Sequence, residues 1–103
     1  MSTMKNSVML IGRPAANPVQ NEKATAFDLV VTEKTMNKET NQWEDDTQRF
    51  RCVCEDKKLN TRIMNNVQKG KQVAIDGKLR VIDGQFGCVI MITDLFLIDR
   101  PND

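Results

Sequence analysis

Hydrophobic residues along this chain keep a two-residue rhythm except over one stretch, DKKLNTRIMNNVQKG, where Leu59, Ile63 and Val67 recur every four residues with Met64 beside them. That spacing draws one apolar stripe down a helix. Asp56 is suited to cap its start, and Lys69 with Gly70 supply the cation and the left-handed glycine that favour its end. The pattern predicts a helix from about 57 to 69. One amphipathic helix cannot bury its own stripe, so the strands around it must provide the rest of the core.

Three strands precede the helix and two follow it. SVMLIG (Ser7 to Gly12) is a short apolar run ended by Gly12, Pro14 and Pro18, which reads as a strand with a break near the glycine. ATAFDLVVT alternates, with Thr25, Phe27, Leu29 and Val31 expected inward. In DTQRFRCVC the same rhythm separates Arg49, Arg51 and Val53 from Phe50, Cys52 and Cys54. That is a half-buried strand whose solvent side carries two arginines. The polar stretch Glu33 to Asp46 joins the two; residues 28 to 34 and 47 to 54 can extend into it as a long hairpin, and its middle is expected to be a mobile loop. Beyond the helix, QVAIDGKLRVI places Val73, Ile75, Leu79 and Val81 inward and Ala74, Asp76, Lys78 and Arg80 outward. Asp83-Gly84 is a strong hairpin signal leading into a long fifth strand, Gln85 to about Ile98. Its apolar residues lie on both faces, which suggests that one of them meets another subunit.

Length and composition narrow the functions available. With 103 residues, the chain is expected to form one domain over residues 1–103, with a modest core and little room for a deep active site. Its formal net charge is +1, so attraction to nucleic acid must come from the arrangement of charges. No apolar run approaches the roughly 18 residues of a membrane span, and the apolar run at the N-terminus is too short for a secretory signal. The three cysteines, Cys52, Cys54 and Cys88, are an odd count that points to free thiols in a reducing, cytoplasmic setting. Cys52 and Cys54 would lie roughly 7 Å apart on one strand face, too far for an easy disulfide. Without histidine or a second cysteine pair they read as core thiols, and no metal or other cofactor is expected. Histidine and tyrosine are both lacking, and no phosphate-cradling glycine loop is present, so the chain does not read as an enzyme.

The order β-β-β-α-β-β, five strands with one helix between the third and fourth, is that of the OB-fold barrel. Along that order the chain resembles the DNA-binding domain of bacterial single-stranded DNA-binding proteins. The similar segments are VMLIGRPAANP, ATAFDLVVTEK, DTQRFRCV and QKGKQVAIDGKLRV, together with the closing apolar strand, over about residues 5 to 99. The resemblance implies sequence-nonspecific binding of single-stranded DNA in replication, recombination or repair. It also implies a homo-oligomer, dimer or tetramer, with strand one pairing across a dimer. Three departures stand out. The positions where the family stacks bases hold Thr35, Arg49 and Glu55, or Asp56 in place of Glu55. The Asp83-Gly84 turn replaces a longer loop, and there is no acidic tail for recruiting partners.

The candidate nucleic-acid-binding residues are Arg49, Arg51, Lys78 and Arg80, with Arg13 and Lys5 at the edge of the patch. A single strand of DNA presents closely spaced phosphates that a groove of cations can track. Arginine also stacks on a base, so Arg49 can stand in part for a missing ring. The competing reading is a solvated strand face whose arginines pair with Asp28, Glu55 or Asp76. Trp43 either stacks on a base or folds back onto the barrel or a neighbouring subunit, and the neighbouring acids Glu44, Asp45 and Asp46 would repel phosphate. Two other functions remain compatible with the sequence: a primosome-like interaction module with weak DNA affinity, and an RNA-binding barrel. No membrane and no small-molecule substrate are expected.

Overall fold

The computed structural model describes residues 3–82 and 87–98. Within them β1 (Val8–Pro14), β2 (Val19–Gln20), β3 (Thr25–Asn37), β4 (Gln42–Cys54), β5 (Val73–Val81) and β6 (Cys88–Leu97) join one sheet in the order β1-β5-β6-β4-β3-β2. A further β1–β3 pairing closes it. The result is a closed five-stranded OB-fold barrel, with the two-residue β2 added along the start of β3.

Closure depends on β1 serving two neighbours. Its first part, Val8 to Gly12, pairs with β5, while Arg13 and Pro14 pair with Val30 and Leu29 of β3. At the changeover a Cβ on Gly12 would collide with the Val30 carbonyl, so the close crossing of the two backbones requires glycine. A second irregularity sits where β5 meets β6. Asp76 pairs with Asp94 but Gly77 pairs with Ile92, leaving Thr93 as an extra residue in a bulge. There a Cβ on Gly77 would come within 2.5 Å of the Met91 carbonyl oxygen.

The expected inward residues of β3 and β4 fill the core. Phe27, Leu29, Cys52 and Cys54 are buried with Val73, Ile75, Ile90, Ile92 and Leu95, and Phe50 packs against them. Helix α1 (Lys57–Asn66) sets Leu59 and Ile63 on this core. Asp56 caps it as expected, its carboxylate accepting from the Lys58 and Leu59 amides at 2.9 and 3.1 Å. The helix ends three residues earlier than the stripe suggested. Val67 turns extended while burying its side chain, and Asn66 donates its side-chain amide to the Arg62 carbonyl. Gly70 does adopt a positive φ of 79°, but in the following turn, where the Lys71 amide donates to Gln68.

Two other expectations change. The stretch Glu33 to Asp46 is strand almost throughout, since β3 and β4 pair without interruption from Thr25↔Cys54 to Asn37↔Gln42. Asn37 holds the tip: its carbonyl accepts from the Asn41 amide and its side-chain oxygen from the Glu39 amide at 2.9 Å. Leu79 and Val81 do lie on the inner face of β5, but they are 46% and 72% exposed. Beyond Gly77 β5 has no β1 partner, since the β1–β5 pairing ends at Val8↔Gly77. Cys88 is exposed, whereas Cys52 and Cys54 are core thiols. The Asp83-Gly84 turn and the residues Gln85 and Phe86 lie outside the described residues.

Candidate nucleic-acid interface

Residues directly opposite each other in paired strands point to the same side, so the register fixes which side chains share a face. Down the outer side of the β3–β4 hairpin, Val53 faces Ala26, Arg51 faces Asp28 and Arg49 faces Val30. Farther out come the pairs Thr47–Thr32, Asp45–Lys34 and Trp43–Met36. From Trp43 to Arg51 this row spans eight residues, about 27 Å at strand spacing.

Two of the three acids beside Trp43 do not share its face. Glu44 and Asp46 point to the other face, opposite Thr35 and Glu33, and Asp45 is ion-paired to Lys34. The sequence reading counted all three against phosphate; of them Asp45 alone stays on the tryptophan face, where Lys34 balances its charge. Strand alternation puts Glu33, Glu44 and Asp46 on one side and Trp43, Arg49 and Arg51, together with the ion-paired Asp28 and Asp45, on the other. Trp43 is on β4 itself, 65% exposed next to the exposed Met36, and does not fold back onto the barrel.

Strand β6 carries the same outer face across to β5. Val53 lies opposite Met91 in the parallel β4–β6 pairing. Met91 in turn faces Lys78, and Val89 faces Arg80. Arg49, Arg51, Lys78 and Arg80 thus come to one side of the barrel, separated by a half-buried floor of Val53, Val89 and Met91. Lys5 precedes Asn6, whose side-chain amide brackets the Leu79 backbone, donating to its carbonyl at 2.7 Å and accepting from its amide at 2.9 Å. That places Lys5 beside the outer end of β5. Arg13 stands in register with Val30, the neighbour of Arg49, but its guanidinium donates to the Gly70 carbonyl at 2.6 Å. It ties β1 to the turn before β5.

Carboxylates accompany the arginines. Asp28 receives both neighbours, with Arg51 Nη1 at 3.1 Å and Arg49 Nε at 3.5 Å. Arg80 Nη1 lies 3.6 Å from Glu55. Lys78 has no ion pair among the described residues. The competing reading of a paired strand face is therefore half realised: four cations face two carboxylates. All three arginines are more than half exposed, and such pairs typically contribute about 0–1 kcal/mol. A phosphate arriving at the face can displace them at small cost.

The sequence reading missed Met36 as the partner of Trp43, and the apolar floor between β4 and β5. A turn centred between Glu39 and Thr40 would have revealed Met36. The floor needed the β4–β6 pairing, which no local pattern encodes. The buried thiols offer no nucleophile: Cys52 is pushed up to about 12, chiefly by burial and then by the nearby Asp28 charge. Cys54 is raised as well, again mainly by burial.

Comparison with known proteins agrees with this geometry. The profile of the single-strand binding protein family matches residues 5–85. The chain belongs to that family. Among curated proteins, none matches it. Of solved structures, a Plasmodium falciparum SSB in complex with ssDNA superposes with a TM-score of 0.79 at 23% identity, covering 96% of this chain and 99% of the other. The small single-stranded DNA-binding protein from Streptomyces coelicolor gives 0.68 at 23% identity, covering 93% and 96%. A deletion mutant of the single-stranded DNA binding protein from Thermus aquaticus gives 0.78 at 15% identity, covering 95% and 52%. At these identities the likeness establishes the shared fold, and it spans the barrel of this family member from end to end. No helix among the described residues is long and apolar enough to cross a membrane.

Proposed function

We propose that this protein binds single-stranded DNA without overall sequence preference, holding exposed strands during replication, recombination or repair. The observation that carries the reading is the two-sidedness of the β3–β4 hairpin. Trp43, Arg49 and Arg51 share one face while Glu33, Glu44 and Asp46 take the other. Arg49, Arg51, Lys78 and Arg80 neutralise phosphates, Trp43 stacks on a base, and Lys5 and Arg13 sit at the margins. The chain acts as one OB-fold binding domain over residues 1–103 and performs no catalysis.

Self-association, as a dimer or tetramer, uses the outer face of β1, β5 and β6 around Ala74. There Ile11 of β1 and Phe96 of β6 flank Ala74 of β5, with both large side chains about half exposed. The three free thiols fit a reducing cytoplasm.

Trp43 is the one tryptophan in the chain, which makes its fluorescence a site-specific probe. Titration with dT oligomers of increasing length at two salt concentrations should quench it. If four phosphates are neutralised, log affinity should fall against log salt with a slope near about −3, at roughly −0.7 per contact. Quenching by RNA in preference to DNA, or no response to any nucleic acid, would overturn the reading.

A further inference from the structure

Where the outer face crosses from β4 to β5, the cations border a cleft of about 390 Å³ with an apolar floor that includes Val53, Val89 and Met91. Arg80 and Glu55 form its polar rim, and the adjoining cleft beside Lys78 is lined by Glu55, Arg80 and Met91 as well. Glu55 directly follows β4 and shares the alternation of Val53 and Arg51, so it belongs to the phosphate-seeking face. A carboxylate there repels the backbone it would meet. It is neither buried nor needed by the fold: it is more than half exposed, and its ion pair with Arg80 is 3.6 Å long.

We propose that Glu55 reads a base. Resting on the proposed single-stranded DNA function, the cleft takes one nucleobase on the Val53–Met91 floor while Arg80 turns to the flanking phosphate. The freed Glu55 carboxylate then accepts a hydrogen bond from the exocyclic amino group of cytosine or adenine. Occupant and rim match in charge: a carboxylate can only accept, and these two bases present a donor on that edge. Thymine presents the O4 acceptor at that place and has only its ring N3–H to offer, set back between two carbonyl oxygens that repel the carboxylate, so it pairs less well. Binding stays sequence-tolerant over the whole site but is biased at this one position toward bases that carry an amino group. Continuity with the Arg49–Arg51 row places the cleft on the path of the same strand.

The test compares dC and dT oligomers of equal length, labelled for anisotropy, on the unmutated protein and on Glu55→Gln at fixed salt and mildly alkaline pH. A glutamine amide can accept from cytosine and donate to thymine, so the variant should lose discrimination. The dC-to-dT affinity ratio is expected to be about fivefold higher in the unmutated protein than in Glu55→Gln. If removing the charge raises affinity for both oligomers equally and leaves the ratio unchanged, Glu55 is only a repulsive charge and the inference falls while the DNA-binding function stands. Failure of the unmutated protein to bind either oligomer would remove that function together with the inference.

Discussion

The outer faces of the two halves of the barrel follow one alternation rule yet prepare for different partners. On the β3–β4 side the outward positions hold arginines, a shared aspartate and a tryptophan at the tip. On the β1–β5–β6 side, at the end of β5 away from Lys78 and Arg80, they hold Ile11, Ala74 and Phe96 in a single cross-strand row. Exposed cations remain solvated until a polyanion releases their counterions. Exposed apolar side chains gain about 25 cal/mol per Å² only when another apolar surface covers them. A barrel divided in this way can assemble through one side without covering the other.

The division can be broken from either side. The largest effect is expected from the pair Ile11→Asp and Phe96→Asp, which places charges in the apolar row. Sedimentation should show the assembly dissociating into single barrels that keep the salt slope of DNA binding; an unchanged mass would move the interface elsewhere. Next comes Arg49→Ala with Arg51→Ala. Affinity for dT oligomers should fall about thirtyfold and the salt slope should flatten to about −1.5 as two of four contacts disappear, with assembly intact. An unaltered slope would take these arginines out of the phosphate path.

Trp43→Ala removes stacking but no charge. It should weaken binding about tenfold, within the roughly 1–3 kcal/mol of one stacked base, and leave the slope as it was. A change of slope would instead mean that the tip positions the cations. The smallest effect belongs to Asp28→Asn. Freed from their shared carboxylate, Arg49 and Arg51 should bind DNA about threefold more tightly, and the unfolding free energy should change by less than about 1 kcal/mol. Weaker binding would show that Asp28 orients the arginines and does not compete with phosphate.

Much of this was legible in the sequence because alternation encodes sidedness directly. The buried Phe27, Leu29, Cys52 and Cys54, the outward Arg49 and Arg51, and the cap at Asp56 all follow from period and residue type. Alternation does not say how far the barrel wall reaches, so Leu79 and Val81 were assigned inward correctly and still stand in water. Composition overstated the loop within Glu33 to Asp46, where pairing runs on to Asn37 and Gln42 and the turn is confined to residues 38–41. Thirteen-residue strands joined by a tip that Asn37 organises turn that same polarity into two distinct faces. The apolar floor beneath Arg80 depends on strands 35 or more residues apart, and on a bulge at Thr93 that no local signal marks.

The central claim is that DNA lies across the outer face of β3, β4 and β6. Its most direct test is a transverse-relaxation-optimised NMR titration of isotopically labelled protein with a short dT oligomer. Amide shifts are expected along Asp28, Val30, Trp43, Thr47 to Val53, Lys78 to Arg80 and Val89 to Met91, with Met9, Ile11 and Phe96 unmoved. Shifts centred on Ile11 and Phe96, with the Arg49–Arg51 row silent, would contradict it.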